Sequence, residues 1–146
     1  KRQVYIGEDG GRHRPVVLHR TVLGSVERFF GILIEHFAGA FPVWLSPVQV
    51  VVLPVAERHI PYAREVEQLL AGHDIRVQCD EENATLGAKI RRAELEKIPY
   101  VLVVGDKEVA NRQVSVRRRR EGNLGAMELG TFLERVLREI AERVVE

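Results

Sequence analysis

The sequence predicts an α/β fold, a mixed sheet flanked by helices, preceded by a β-hairpin and one further helix. Three observations carry that reading. After residue 47, strand-like and helix-like segments alternate with short connections, the pattern of a sheet with helices on its faces. Val48 to Leu53, interrupted only by Gln49, and Tyr100 to Val104 are apolar runs, as in strands buried on both faces. Only nine residues separate Tyr100–Val104 from Val114–Arg119, too few for a helical crossover, so that pair runs antiparallel and the sheet is mixed.

Taken in order, residues 3–6 and 14–19 read as strands, and the turn formers from Gly7 to Arg12 make them a hairpin. A helix begins near Gly24 and Ser25. Ser25 caps it, Val26, Phe29, Phe30, Leu33 and Phe37 share one face, and Gly39 and Pro42 end it. Residues 42–47, with two prolines around Trp44, form a boundary that is packed, since floppy linkers are rich in Gly and Ser.

Beyond it, Val48–Leu53 is the first strand of the sheet. Pro61 suits a first helical turn, with Tyr62, Val66, Leu69 and Leu70 as its buried stripe and Gly72 as its stop. Ile75–Cys79 is a strand, Thr85–Lys97 a helix with Leu86, Ile90 and Ala93 on one side, and Tyr100–Val104 a strand closed by Gly105 and Asp106. Val114–Arg119 is the last strand. From Leu129 the clearest helix repeats Phe132, Leu133, Val136, Leu137, Ile140 and Val144 at three and four. The order after residue 47 is β-α-β-α-β-β-α.

Composition narrows the function. Twenty-two Lys and Arg stand against 21 Asp and Glu, a formal charge of +1, so a nucleic-acid surface has to be a local patch. One such excess exists: five arginines lie between positions 112 and 120. If the strand persists, alternation sends Arg117 and Arg119 to one face and Arg118 and Arg120 to the other. The single cysteine, Cys79, excludes an internal disulfide and fits a reducing cytoplasm. No run reaches the ~18 apolar residues of a membrane span, so no membrane partner is expected. The chain begins at Lys1 without Met, in a strand-like segment, which reads as a piece of something longer.

Sites of familiar chemistry are missing. There is no P-loop, no Gly-x-Gly-x-x-Gly after a strand, no Cys-x-x-Cys, no His-Glu-x-x-His and no serine in a nucleophile elbow. Five histidines lack metal-type spacing. Arg28, in the first turn of an apolar helix, is either a solvated residue or a guanidinium placed to hold phosphate.

The run from Arg14 through Ser25 to Phe29 resembles the third signature motif of the class II aminoacyl-tRNA synthetases, in its threonyl form. Gly31–Gly39, Phe41–Val50, Lys89–Arg91, Lys97–Glu108 and Val114–Arg117 resemble the same family, so the likeness covers essentially the whole chain in register. It implies that residues 1–41 are the end of a catalytic core, 42–47 a hinge and 48–146 an anticodon-binding domain. It further implies ATP-dependent threonylation of tRNA, with Arg28 on the γ-phosphate end of ATP beside Mg²⁺ and Ser25 lining the substrate site. His19 is implied as the last of three ligands to a zinc ion that holds threonine, which explains how such enzymes reject valine. The other two ligands lie outside this chain, so the chain alone is expected to be inactive.

For the anticodon the resemblance implies Asn83, Arg91, Lys97, Glu108 and Arg117. Arginines donate to guanine or phosphate oxygens, a glutamate accepts from a guanine's amino and imino groups, and an asparagine does both. On pattern alone Arg91 and Lys97 are equally ordinary solvated helix charges. The family pattern before the second helix is Arg-Asn-Glu; here Glu82 replaces the arginine and Ala84 the glutamate, with Asn83 kept. The implied partners are threonine tRNA, ATP and threonine, in a homodimer of the full enzyme. Two other readings stay open: a non-catalytic RNA-binding or regulatory protein reusing the module, and a sister enzyme for proline, histidine or glycine. His19 and the Trp44 segment argue against the sister enzymes.

Overall fold

The computed structural model describes residues 3–145. The chain forms two compact units, Lys1–Ile32 and Leu33–Glu146, divided inside the first helix.

In the smaller unit, β1 (Tyr5–Ile6) and β2 (Arg12–His13) form an antiparallel hairpin, Tyr5 opposite His13 and Ile6 opposite Arg12. The second strand therefore falls within the expected turn, and residues 14–19 are irregular and exposed. Asp9 explains the early closure. Its carboxylate accepts from the Gly11 N–H at 3.0 Å and meets His13 Nε2 at 2.9 Å, which tightens the turn to a few residues. Pro15 has no N–H to offer a ladder, and among the described residues nothing pairs with 14–19. Helix α1 (Val26–Phe37) starts as expected at Ser25, whose Oγ accepts from the Arg28 N–H at 3.4 Å. It ends where Ala38 and Gly39 turn left-handed, φ 50° and 74°.

The larger unit is built on a five-stranded sheet of order β4-β3-β5-β6-β7. Its strands are β3 (Val50–Pro54), β4 (Val77–Cys79), β5 (Tyr100–Val104), β6 (Gln113–Arg118) and β7 (Gly122–Glu128). Strand β3 pairs parallel with β4 and β5, and β5–β6 and β6–β7 are antiparallel. The mixed α/β sheet expected from the sequence is present. The two apolar runs are the strands with neighbours on both sides and packing on both faces.

Alternation along the strands makes two cores. Val50 and Val52, with Tyr100, Leu102, Val114 and Val116, face α2 (Ile60–Ala71) and α5 (Leu129–Ala141), which contribute Val66, Leu70, Phe132 and Val136. Phe132 is fully buried, edge-on to Tyr100 at 5.3 Å. Burial of this order contributes ~1.5–3 kcal/mol per large side chain. Val51, Leu53 and Val101 face the other way, against Ala93 of α3 (Leu86–Leu95) and Ile98. On β6 that second face carries Gln113, Ser115 and Arg117, half-exposed and in neither core. One face of the sheet is thus fully covered, and α3 covers only part of the other.

Besides a 3₁₀ turn over Glu57–His59 ahead of α2, two elements are additional to those expected. Helix α4 (Asp106–Asn111) fills the connection between β5 and β6, and β7 forms the far edge of the sheet. The final helix stops at Ala141, short of Val144. Arg143 takes φ 49°, and the Val144 N–H returns to the Glu139 carbonyl at 3.2 Å. Segment 42–47 lies in the larger unit and is tied to it. The Gln49 amide donates to the Val43 carbonyl, and Arg76 donates to the carbonyls of Ser46 and Trp44 at 2.9 and 3.0 Å.

Candidate nucleic-acid interface

The loop from Asp80 to Thr85 leaves the carboxyl end of β4, the side of a parallel sheet where ligands gather. The Asp80 N–H donates to the Val52 carbonyl at 2.9 Å, which continues the ladder for one residue. Its carboxylate accepts from the Glu82 N–H at 3.0 Å, and Thr85 Oγ caps α3 by accepting from the Ala88 N–H at 3.3 Å. Arg64 forks onto both oxygens of Glu81 at 2.5 and 2.8 Å and holds that carboxyl below its usual range. Arg92 pairs with Glu82 and stands 3.6 Å from Asp80. Lys89, only 4% exposed, donates to the Asp80 carbonyl at 2.8 Å and less closely to Pro54. Asn83 is exposed, and among the described residues its amide has no partner. It lines a cavity of about 270 Å³ with Val55, Glu57, Glu82 and Lys89.

Glu108 sits across the same end of the sheet, in the first turn of α4. Its Oε2 accepts from the Gly105 N–H at 3.0 Å, which makes it a helix cap with one oxygen left over. Beside it Arg58 forks onto Asp106 at 2.9 and 2.7 Å, and His59 meets the same carboxylate at 2.9 Å. Arg58 first, and His59 second, hold the Asp106 carboxyl well below the usual carboxylate range. His59 is buried, and its Nδ1 accepts from the Ala56 N–H at 3.1 Å, so the proton lies on Nε2. These contacts fix the end of the sheet between β3 and α4.

Arg91 projects from the exposed side of α3, between buried Lys89 and Ala93. Arg117 lies opposite Val101 in the β5–β6 register, beside a bulge at Val116 and Arg117. It flanks a second cavity of about 270 Å³, lined also by Ile90, Glu94, Ile98 and Val101. Val101 is three residues from the end of β5, so Arg117 stands roughly 10 Å along the sheet from the Glu108 end. The residues form a stripe, not a single pocket. Such a stripe can meet several splayed bases.

The remaining arginines of the run have internal tasks. Arg118 reaches Glu121 and Glu139 and lies over the Tyr100 ring at 5.7 Å. Arg119 donates to the Lys97 carbonyl at 2.6 Å and the Phe41 carbonyl at 2.7 Å. The strand ends at Arg118, and Arg120 has φ 70°, so the face-by-face alternation does not extend to it. Lys97 is partly structural too. It takes φ 58° where α3 ends, and its ammonium donates to the Ala38 carbonyl. Sequence reasoning did not single out Arg92 or Lys89, and it set Arg119 with Arg117 on one strand face, where the structure turns Arg119 to internal carbonyls. Arg92 had a readable signal, a cation about two helical turns beyond a loop of three acids; the carbonyl partners of Lys89 and Arg119 left none.

In the smaller unit Ser25 Oγ donates to Glu27 at 2.8 Å as well as capping α1, and Arg28 and His19 are exposed. Among the described residues no three His, Cys, Asp or Glu side chains come together as a metal site. No described helix is long and apolar enough to cross a membrane.

A match to the family described as "Anticodon binding domain" runs over residues 49–139, which takes in the whole sheet and the site just described. The chain belongs to this anticodon-binding family. Among its relatives is the threonine–tRNA ligase of Caldanaerobacter subterraneus subsp. tengcongensis, 57% identical over 141 residues, 97% of this chain and 22% of that protein. A threonine–tRNA ligase of Thermus thermophilus is 56% identical over 142 residues, again 97% and 22%. The chain thus spans about a fifth of the length of the curated relatives it matches. Among solved structures, the RNA binding domain of threonyl-tRNA synthetase from Cryptosporidium parvum Iowa II superposes with a TM-score of 0.75 at 35% identity, covering 88% of this chain and 32% of that one. Within the anticodon-binding family, Asn83, Arg91, Lys97, Glu108 and Arg117 of this chain lie on or beside the incompletely covered face or at the ends of its strands.

Proposed function

We propose that this chain is the anticodon-reading part of a threonine–tRNA ligase, an enzyme that joins threonine to its tRNA through an adenylate. The observation that carries the reading is the stripe on the α3 face, where Asn83 and Arg117 stand at opposite ends with polar groups free for base edges. Arg117 and Arg91 donate to base or phosphate oxygens, Glu108 accepts through the oxygen not used for capping, and Asn83 does either. Lys97 contributes charge at the far end.

Residues 1–41 belong, on this reading, to the end of the catalytic core, and 42–47 join it to the reading domain. Arg28 would steady the phosphates of ATP with Mg²⁺, and Ser25 would line the substrate site. A single exposed imidazole does not hold zinc, so a zinc role for His19 needs ligands from elsewhere in the longer protein. Threonine and ATP are substrates of that longer enzyme, a cytoplasmic homodimer in this proposal.

The test is equilibrium binding of this chain to threonine tRNA and to a transcript altered at the middle and third anticodon bases. Tighter binding of the unaltered tRNA is expected. Equal affinities would remove the anticodon reading and leave a general RNA-binding module.

A further inference from the structure

The loop that presents Asn83 contains three carboxylates in succession, Asp80, Glu81 and Glu82. Unopposed, they would repel any RNA backbone brought to this face. Each is instead engaged from inside the domain, Glu81 by Arg64 of α2, and Glu82 and Asp80 by Arg92 of α3. Lys89 holds the loop's backbone through the Asp80 carbonyl. Asn83 is the residue of this loop that presents an amide, and that amide has no partner among the described residues.

We propose that Arg92 is a positioning residue for RNA recognition: by holding Glu82 and Asp80 together it sets the loop so that the Asn83 amide faces outward, and it withholds two negative charges from the RNA. This rests on the anticodon reading above. Glu82 precedes the asparagine, and Arg92 meets it from the helix that the loop leads into. Stability is not what the pair provides. The Arg92 and Glu82 side chains are 42% and 60% exposed, and exposed pairs contribute little to folding. Two functions remain for it: fixing the loop's geometry and cancelling its charge.

The experiment uses Arg92→Ala, Arg92→Lys and the exchange Glu82→Arg with Arg92→Glu, each checked by its melting curve. Affinities are measured for the threonine tRNA transcript and for the transcript altered at the middle and third anticodon bases. Arg92→Ala is expected to lose on the order of fivefold for the first and much less for the second, so that discrimination falls while the melting temperature barely moves. Arg92→Lys keeps the charge without the fork and should fall between. The exchanged pair restores the net charge and the contact between positions 82 and 92 but sets an acid beside Asp80, so it should recover only part of the discrimination.

Wild-type discrimination with Arg92→Ala discriminating equally well would overturn the proposal. So would Arg92→Lys no better than Arg92→Ala in a chain that still melts cooperatively, because a lysine still sets a cation against the loop's acids. A wild-type chain that does not discriminate defeats the anticodon reading itself, and this proposal with it; that result is distinguishable because it appears before any variant is made.

Discussion

Arg117 and Arg119 are two residues apart, and the sheet gives them different tasks. Arg119 is spent on the carbonyls of Lys97 and Phe41, contacts that no sequence pattern announces because a backbone carbonyl carries no residue identity. Arg117 sits on the partly covered face beside a cavity floored by Ile98 and Val101. Arg117→Ala should therefore weaken RNA binding by ~1–3 kcal/mol, the usual worth of a good base contact, and leave the melting temperature nearly unchanged. Filter or fluorescence titration against threonine tRNA measures it, and unchanged affinity would count against the assignment. Glu108 shows where residue-level reading is incomplete. Its spacing from Gly105 is that of a capping box, so one carboxylate oxygen closes a helix while the other remains for a ligand.

Elements were legible where burial is two-sided or strongly periodic, and less so at the edges. β3, β5 and α5 follow from apolar runs and from a three-four repeat. β7 did not, because Gly122, Asn123 and Gly125 have poor strand propensity and its identity comes from pairing with β6. α4 is six residues long and is defined by its cap more than by its own pattern. The helix ends were also harder to read than their number suggests, since α1, α2, α3, α4 and α5 are each followed by a non-glycine at positive φ: Ala38, Asp74, Lys97, Arg112 and Arg143. At α3 the Ile98 N–H returns to the Ala93 carbonyl at 3.0 Å and the Lys97 N–H to that of Glu94 at 3.1 Å, a closure that favours glycine at position 97. Lys97→Gly should thus be more stable than Lys97→Ala by about 1 kcal/mol, both having lost the ammonium bond to Ala38. Chemical denaturation of the two variants checks the backbone effect. Equal loss of RNA affinity in both assigns any binding role to the ammonium and not to the bend.

At the scale of the whole molecule, charge is nearly balanced, 22 cations against 21 acids, and much of it is consumed internally. Arg58, Arg64, Arg92, Arg112 and Arg118 all engage carboxylates within the domain. Among the described residues, the cations near the stripe that pair with no carboxylate are few: Arg91, Lys97, Lys107, Arg117 and Arg120. A protein that gripped RNA chiefly by its backbone would need many more, and each phosphate neutralised on a single strand steepens the salt dependence by about 0.7. Two or three such contacts give a slope of log affinity against log salt of about −2, shallow for a nucleic-acid-binding domain. Titrations of threonine tRNA across a range of potassium chloride concentrations measure this slope. A value steeper than about −4 would mean that six or more phosphates are engaged, more than these five cations supply, and would move the dominant contact away from the stripe. Arg117→Ala and Arg91→Ala should separate within the same series. A cation on a base edge lowers affinity with the slope kept, whereas one on a phosphate lowers both, so the salt series sorts the two arginines by the atoms they meet.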